Sequence, residues 1–239
     1  MYIDFHSHVL PGIDDGSRSV EESVQLLDKM AVEKTKILVA TPHFYCSEIS
    51  IQGFVKRRDE AFKKLEPHLS QQHPRLFFGA EVLYDHAIVR LPDLHDLCIR
   101  GTDFLLLEMP YTDLTEEIIE GVDTIINRGD VKLIIAHIER YLNFTSMKNL
   151  EKLMQLDVLG QINAVSLKSM KGRSRCMKLI KKGFVHVLGS DMHRTDRDHV
   201  PVKQGFEIIT KKFDDFDEFA LRNGKMILTN ESIEKILTL

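Results

Sequence analysis

Short apolar runs rich in branched residues alternate along this chain with longer stretches whose apolar positions recur at helical spacing. Residues 2–5, 36–40, 76–79, 104–107, 133–136, 159–162 and 185–188 predict seven strands. Residues 20–33, 54–69, 116–127, 148–156 and 168–182 predict helices; in the first, Val24, Leu27, Met30 and Ala31 share a face. From about Val202 the chain reads as a helical tail, with Asn223 and Gly224 as its break. Strands separated by helices of this length need crossover connections, so the sheet is expected to be parallel. Continuously apolar runs such as FLLL and KLIIA fit burial on both faces. A closed βα barrel and an open doubly wound sheet both satisfy the pattern. No stretch rich in Pro, Gly or Ser divides it, which predicts one domain over residues 1–239.

The residues just beyond each run are polar: His6 and His8, His43, Glu81, Glu108, His137, Asn163, then Asp191 and His193. Successive anchors His8, His43, Glu81, Glu108, His137, Asn163 and Asp191 lie 35, 38, 27, 29, 26 and 28 residues apart, room for one strand, one helix and two loops each time. In a parallel βα barrel all carboxyl strand ends meet at one face, where such enzymes keep their active sites. His6 and His8, two apart on a strand, point to the same side of the pleat, as do Asp191 and His193. With Asp14 from the loop after the first strand, five imidazoles and four carboxylates converge. Nine ligands exceed what one ion takes, so a two- or three-metal site is expected. Nitrogen and oxygen ligation without thiolate suits Mn, Fe or Zn. His68, His73, His86, His95, His186 and His199 lack both position and spacing, and are expected elsewhere on the surface or in the core.

Composition narrows the partners. Thirty-two basic against 36 acidic residues give a net charge of −4, without the positive excess that a nucleic-acid backbone or an anionic membrane attracts. No charged and apolar leader opens the chain and no apolar run approaches a membrane span, so a cytoplasmic protein is expected. Cys46, Cys98 and Cys176 are too scattered for a disulfide framework and read as small hydrophobes. The residues six positions beyond them are Gln52, Phe104 and Lys182, which excludes a C-x5-R phosphatase loop. Neither a Walker-type phosphate loop nor a G-x-S-x-G elbow occurs. Arg140, three residues after His137, is the first candidate for a phosphate clamp, because guanidinium matches phosphate oxygens as a fork. Arg194 is the second, and the run Lys171, Arg173, Arg175 reads as a solvated basic face.

The ordered motifs IDFHSHVLPGIDDG, TPHF, GAE, LLLEMPY, AHIERY, QINAVSL and VLGSDMH resemble the PHP (polymerase and histidinol phosphatase) superfamily. Within it they are most similar to the manganese-dependent protein-tyrosine phosphatases of bacterial capsule and exopolysaccharide systems, the CpsB/CapC type. The resemblance runs from residue 2 to about residue 193. It implies a distorted seven-stranded, TIM-like βα barrel and a trinuclear centre, with Mn2+ expected and Fe or Zn as alternatives. By that likeness His6, His8, Glu81 and Asp191 hold one ion, Glu81, Glu108 and His137 the next, and Asp14, His43 and His193 the third. The histidinol phosphatases of the superfamily usually carry His where this chain has Asp14 and Glu108. AHIER and SDMHR stand where A-H-P-E-R and S-D-A-H-N are more usual.

The expected reaction is therefore hydrolysis of phosphotyrosine in a protein, a bacterial tyrosine kinase being the implied partner, with a metal-held hydroxide as nucleophile. A phosphatase of a small metabolite such as histidinol phosphate or a nucleotide is the alternative on the same ligands. A noncatalytic, metal-stabilised docking module is a third.

Overall fold

A computed structural model describes residues 1–197 and 200–237. The apolar runs form β1 (Tyr2–Asp4), β2 (Thr35–Ala40), β3 (His43–Phe44), β4 (Arg75–Phe78), β5 (Glu81–Leu83), β6 (Phe104–Glu108), β7 (Lys132–Ile135), β8 (Val158–Asn163) and β9 (Val187–Gly189). Between and after them lie α1 (Val20–Val32), α2 (Ile51–Leu65), α3 (Glu116–Asn127), α4 (Ile138–Tyr141), α5 (Met147–Met154), α6 (Met170–Lys181), α7 (Val202–Ile209), α8 (Phe216–Leu228) and α9 (Ile233–Leu237). Sequence sets the helix starts through caps: Ser19, Ser50, Thr115, Ser146 and Ser169 each accept a backbone N–H of the first turn. Glu21 and Glu22 open α1 and Lys29 closes it, complementing the helix dipole.

All strand pairs are parallel, in two sheets ordered β1-β2-β4 and β3-β5-β6-β7-β8-β9. The second predicted run forms β2, and the short strand β3 follows beyond Pro42, which has no N–H to continue the ladder. The third forms β4, and after Gly79 and Ala80 a further strand, β5, lies beyond the predicted run. At the far side β1 lies against β9: Phe5 N–H donates to Leu188 O at 3.1 Å, and Ser7 bridges Met192. The result is a single α/β domain built on a curled parallel sheet, a half-barrel in form.

Both faces of the strands are buried, as their composition requires. Alternate residues Ile3, Phe5, Phe104, Leu106, Ile134, Leu159 and Val187 pack with Ile227, Ile233 and Ile236 of the tail helices. The intervening Leu105, Leu107, Leu133 and Ile135 pack with Val122 and Ile125 of α3 and with Leu150 of α5.

The tail corrects one expectation. Asn223 and Gly224 lie inside α8, buried, rather than at a break. A Cβ on Gly224 would sit 2.9 Å from Phe5 and 3.0 Å from Ile3, so the glycine is there to let α8 approach β1. Asn223 donates its side-chain amide to His186 O at 3.2 Å. The helical stretches are instead separated at Thr210–Asp215 and Thr229–Ser232.

A candidate metal centre at the carboxyl ends of the strands

The polar residues that follow the strands gather in one buried cluster. Glu81, at the start of β5, is its centre: Oε2 lies 3.1 Å from His6 Nε2, 3.3 Å from His8 Nε2 and 3.1 Å from His43 Nδ1. Its other oxygen, Oε1, is 2.9 Å from His137 Nε2, which in turn is 3.5 Å from Glu108. Asp191 Oδ1 lies 3.4 Å from both His6 and His8 and 3.5 Å from His193. The rings of His8 and His193 stack at 3.9 Å.

The predicted Asp14 and its neighbour Asp15 occupy different places. Asp14 Oδ2 accepts from His8 Nδ1 at 2.7 Å and from His43 N–H at 3.0 Å. Asp15, which the sequence reading passed over, places Oδ1 3.3 Å from His193 Nε2 and 3.6 Å from His43 Nε2. Three groups of donor atoms converge closely enough to share an ion: His8, Asp15, His43 and His193; His6, His8 and Glu81; His43, Glu81 and Glu108.

The fit to cations is legible in the atoms left over. Glu81 Oε2 and His43 Nδ1, 3.1 Å apart, are buried without a hydrogen bond, although Glu81 Oε2 has three imidazole nitrogens around it. His6 Nε2 and His8 Nε2 face each other at 3.2 Å. Buried polar atoms ordinarily find partners, and lone pairs aimed at a common point are what a cation takes. The outer nitrogens are held for that purpose: His8 Nδ1 by Asp14, His6 Nδ1 by Gln161 Oε1 at 3.3 Å, and His193 Nδ1 by Asp191 O at 2.9 Å.

Gln161 also escaped the sequence reading. It sits two residues before Asn163 on β8, so both face the site, and its amide donates to Asn163 Oδ1 at 2.7 Å. Asn163 passes this on to Asp191 Oδ2 at 2.8 Å. Backbone strain marks the same place: His137 (φ 29°) and Asp191 (φ 55°) are non-glycine residues in the left-handed region, at a cost of about 1–3 kcal/mol each. Gly189 is required beside them, because a Cβ there would meet His6 Cβ at 2.4 Å.

Charge follows the geometry. Burial works against ionised Glu81 and Asp191, yet the surrounding imidazoles, and Arg140 beside Asp191, hold both well below the usual carboxylate range. Burial likewise opposes a charged His137, but Glu108 and Glu81 lift it to about 9. His193 is pushed down by burial and by the neighbouring His8. Protons and cations therefore compete for the same lone pairs. Asp4, under the cluster, is raised to about 6 by burial and accepts from Ser190 N–H at 2.9 Å.

Arg140 rides on α4, a single turn too short to show in the sequence pattern, and its guanidinium donates to Asp191 and, at 3.4 Å, to Tyr111 OH. Tyr111 OH donates to Glu108 Oε1 at 2.8 Å; its ring lies 5.3 Å from that of Phe144, and both side chains are exposed at the mouth. Arg194 instead approaches Asp196 at 3.7 Å, while Arg197 reaches Asp15 at 3.1 Å. A cleft of about 240 Å³ opens beside the cluster, bordered by Asp15, His43, Tyr45, Glu48 and Arg57.

The remaining histidines lie elsewhere: His73 on Asp28, His86 near Glu117, His95 near Asp103, His186 in the core, and His68 exposed; His199 lies outside the described residues. Cys98 and Cys176 are buried as expected, whereas half-buried Cys46 donates its thiol to Asp85 at 3.0 Å. Burial pushes the Cys46 thiol up to about 11, so no thiolate serves here.

Fold and cluster together define a half-barrel protein with a candidate cation-binding cluster at its carboxyl face. The profile described as capsular polysaccharide synthesis, CpsB/CapC, matches residues 2–229, and the chain belongs to that family. It is 28% identical to the putative tyrosine-protein phosphatase CapC of Staphylococcus aureus, over 98% of this chain and 93% of that one. It is 29% identical to the tyrosine-protein phosphatase CpsB of Streptococcus pneumoniae, over 88% and 90%. A crystal structure from the work on YwqE of Bacillus subtilis and CpsB of S. pneumoniae, described there as metal-dependent tyrosine phosphatases, shares the fold. Its TM-score is 0.78 at 20% identity, covering 96% of this chain and 95% of that one. Among the described residues no helix is long and apolar enough to cross a membrane.

Proposed function

We propose that this chain is a cytoplasmic, manganese-dependent protein-tyrosine phosphatase of the PHP superfamily, whose substrate is a phosphotyrosine protein such as a bacterial tyrosine kinase. The observation that carries the reading is the convergence of five imidazoles on buried Glu81 and Asp191 and on exposed Asp15 at one face. What supports the barrel of that superfamily is the parallel order β1-β2-β4 and β3-β5-β6-β7-β8-β9, with the chain after β1 hydrogen-bonded to β9.

Two or three Mn2+ ions fit the donor set, with Fe or Zn as alternatives. His6, His8, Glu81 and Asp191 would hold one, Glu81, Glu108 and His137 a second, and Asp15, His43 and His193 a third. In this assignment Asp15 would take the place expected for Asp14, and Asp14 would orient His8. When bound, such ions supply Lewis-acid charge for phosphate oxygens and lower the pKa of water toward 7.

The protein's own groups do the rest. Arg140, fixed by Asp191 and Tyr111, has donors left for the phosphoryl oxygens and for the charge that develops on the departing phenolate. Arg194 would take part only by turning from Asp196. The aromatic pair Tyr111 and Phe144 at the mouth supports an aryl ester, because a phenyl ring can pack against it. A phosphotyrosine peptide incubated with Mn2+ should release phosphate, and chelator should stop it. Absence of chelator-sensitive release, or a higher kcat/KM on histidinol phosphate than on phosphopeptides, would overturn the assignment.

A further inference from the structure

The basic run that the sequence pattern assigned to a solvated face has more structure than that. Residues 158–190 contain seven Lys and Arg and no Asp or Glu, in a chain whose net charge is −4. On the folded molecule this asymmetry becomes a groove of about 620 Å³ between α6 and the segment that follows α7. Its walls carry Arg173, Lys178 and Lys181 on one side and Lys211 and Lys212 on the other; no carboxylate lines it. All five are exposed. Among the described residues the four lysines form no ion pair, whereas neighbouring Lys182 reaches Glu151 at 2.7 Å. The groove also has an apolar component in Met170, Met177 and Ile208, and Met170 is 89% exposed.

We propose that this groove docks an extended acidic peptide segment carrying apolar side chains, supplied by a partner protein. Four lysines without ion pairs, together with Arg173, whose Nε donates to Leu167 O at 3.0 Å, repel one another, and an anionic occupant relieves them. Methionines give an adaptable apolar floor for side chains interleaved with the acids. The concave shape speaks against a bilayer, which is flat and would meet only the rim. No aromatic ring lines the groove, so a single-stranded nucleic acid would lack a stacking platform. The twelve residues of α6 span about 18 Å, enough for roughly five or six extended residues.

The helix that forms one wall of the groove also contacts the turn beside the candidate metal centre. On the same helix Arg175 donates to Asn143 Oδ1 at 2.7 Å and to Leu142 O at 3.0 Å, directly after the turn that carries Arg140. An acidic segment seated here would therefore hold a phosphoprotein near the mouth. That consequence rests on the phosphatase reading, while the docking itself does not.

The test separates the two. A fluorescein-labelled peptide of repeating Glu-Glu-Leu, without phosphotyrosine, is titrated with the full chain and followed by anisotropy. Binding should weaken with salt, fall at least about 10-fold when Gln replaces Glu in the peptide, and fall similarly in the triple variant Lys178→Glu, Lys181→Glu, Lys212→Glu. A triple Lys→Gln variant should lie between, and both should keep the wild-type circular dichroism. In turnover, joining the acidic segment to a phosphotyrosine peptide should lower KM several-fold with kcat unchanged, an advantage the triple variant loses while it hydrolyses free phosphotyrosine normally. Equal binding by wild type and triple variant, no binding at all, or binding of phosphatidylglycerol vesicles in place of the peptide would each overturn the proposal.

Discussion

Buried histidine is handled in opposite ways at the two ends of the strands. His186, just before β9, is 4% exposed, accepts Gly160 N–H on Nδ1 at 3.0 Å, and is pushed by burial down to about 4. His137, just after β7, is wholly buried as well, yet Glu108 and Glu81 carry it up to about 9 against the same burial. Burial alone makes a neutral core histidine; burial with converging carboxylates makes a place that demands positive charge, from protons or from metal ions. Only the second is chemistry, and the contrast can be tested from either end.

Removing the central carboxylate should erase the difference. Glu81→Gln, which keeps the shape, is expected to lower kcat/KM for a phosphotyrosine peptide by more than the ~10–100-fold typical of an outer partner, on the order of 10³-fold, with the fold intact by circular dichroism. Retained activity would mean that the convergence on Glu81 is incidental.

At the other end the readout is stability. The unfolded chain takes up a proton at His186 near pH 6.5, and the folded chain not until about pH 4. Acid therefore favours unfolding across that window, and stability rises with pH between about 4 and 6.5. Each pKa unit is worth about 1.4 kcal/mol, so wild type should lose about 3 kcal/mol more than His186→Gln on going from pH 7 to pH 4. Parallel urea-derived pH profiles for the two proteins would contradict this.

Smaller effects sharpen the inner boundary of the site. Asp14→Asn should weaken Mn2+ binding by about 10–100-fold, the scale of a lost orienting partner, and Asp15→Asn by more; calorimetric titration showing the reverse order would exchange their roles. Phe144→Ala touches no ligand and is expected to cost about 3–10-fold in kcat/KM on phosphotyrosine relative to β-glycerophosphate, matching the ~0.5–1.5 kcal/mol of one aromatic contact. An equal loss on both esters would remove the ring contact.

Much of the site was readable because strand ends repeat at near-constant intervals and side chains alternate with period two. His6 with His8, and Asp191 with His193, follow from that alternation; Gln161 with Asn163 obeyed the same rule and was overlooked because an amide is not a ligand type. Asp14 and Asp15 could not be told apart, since adjacent residues in a loop differ only in where the backbone aims them. The end of β2 was legible in Pro42, whose missing N–H interrupts a ladder, whereas the two-residue β3 beyond it is too short for any period to show. Gly224 misled for the opposite reason: its small size serves packing against Phe5 and Ile3, which no local pattern records. The one-turn helix α4 is shorter than any period can reveal, and with it went the positioning of Arg140 on Asp191.

The most direct measurement is anomalous diffraction from crystals grown with Mn2+. Two or three peaks should appear within coordination distance of Glu81, Asp191 and Asp15 and vanish after soaking in chelator. Crystals at full Mn2+ with no peak among these residues, or with peaks only on surface carboxylates elsewhere, would contradict the account.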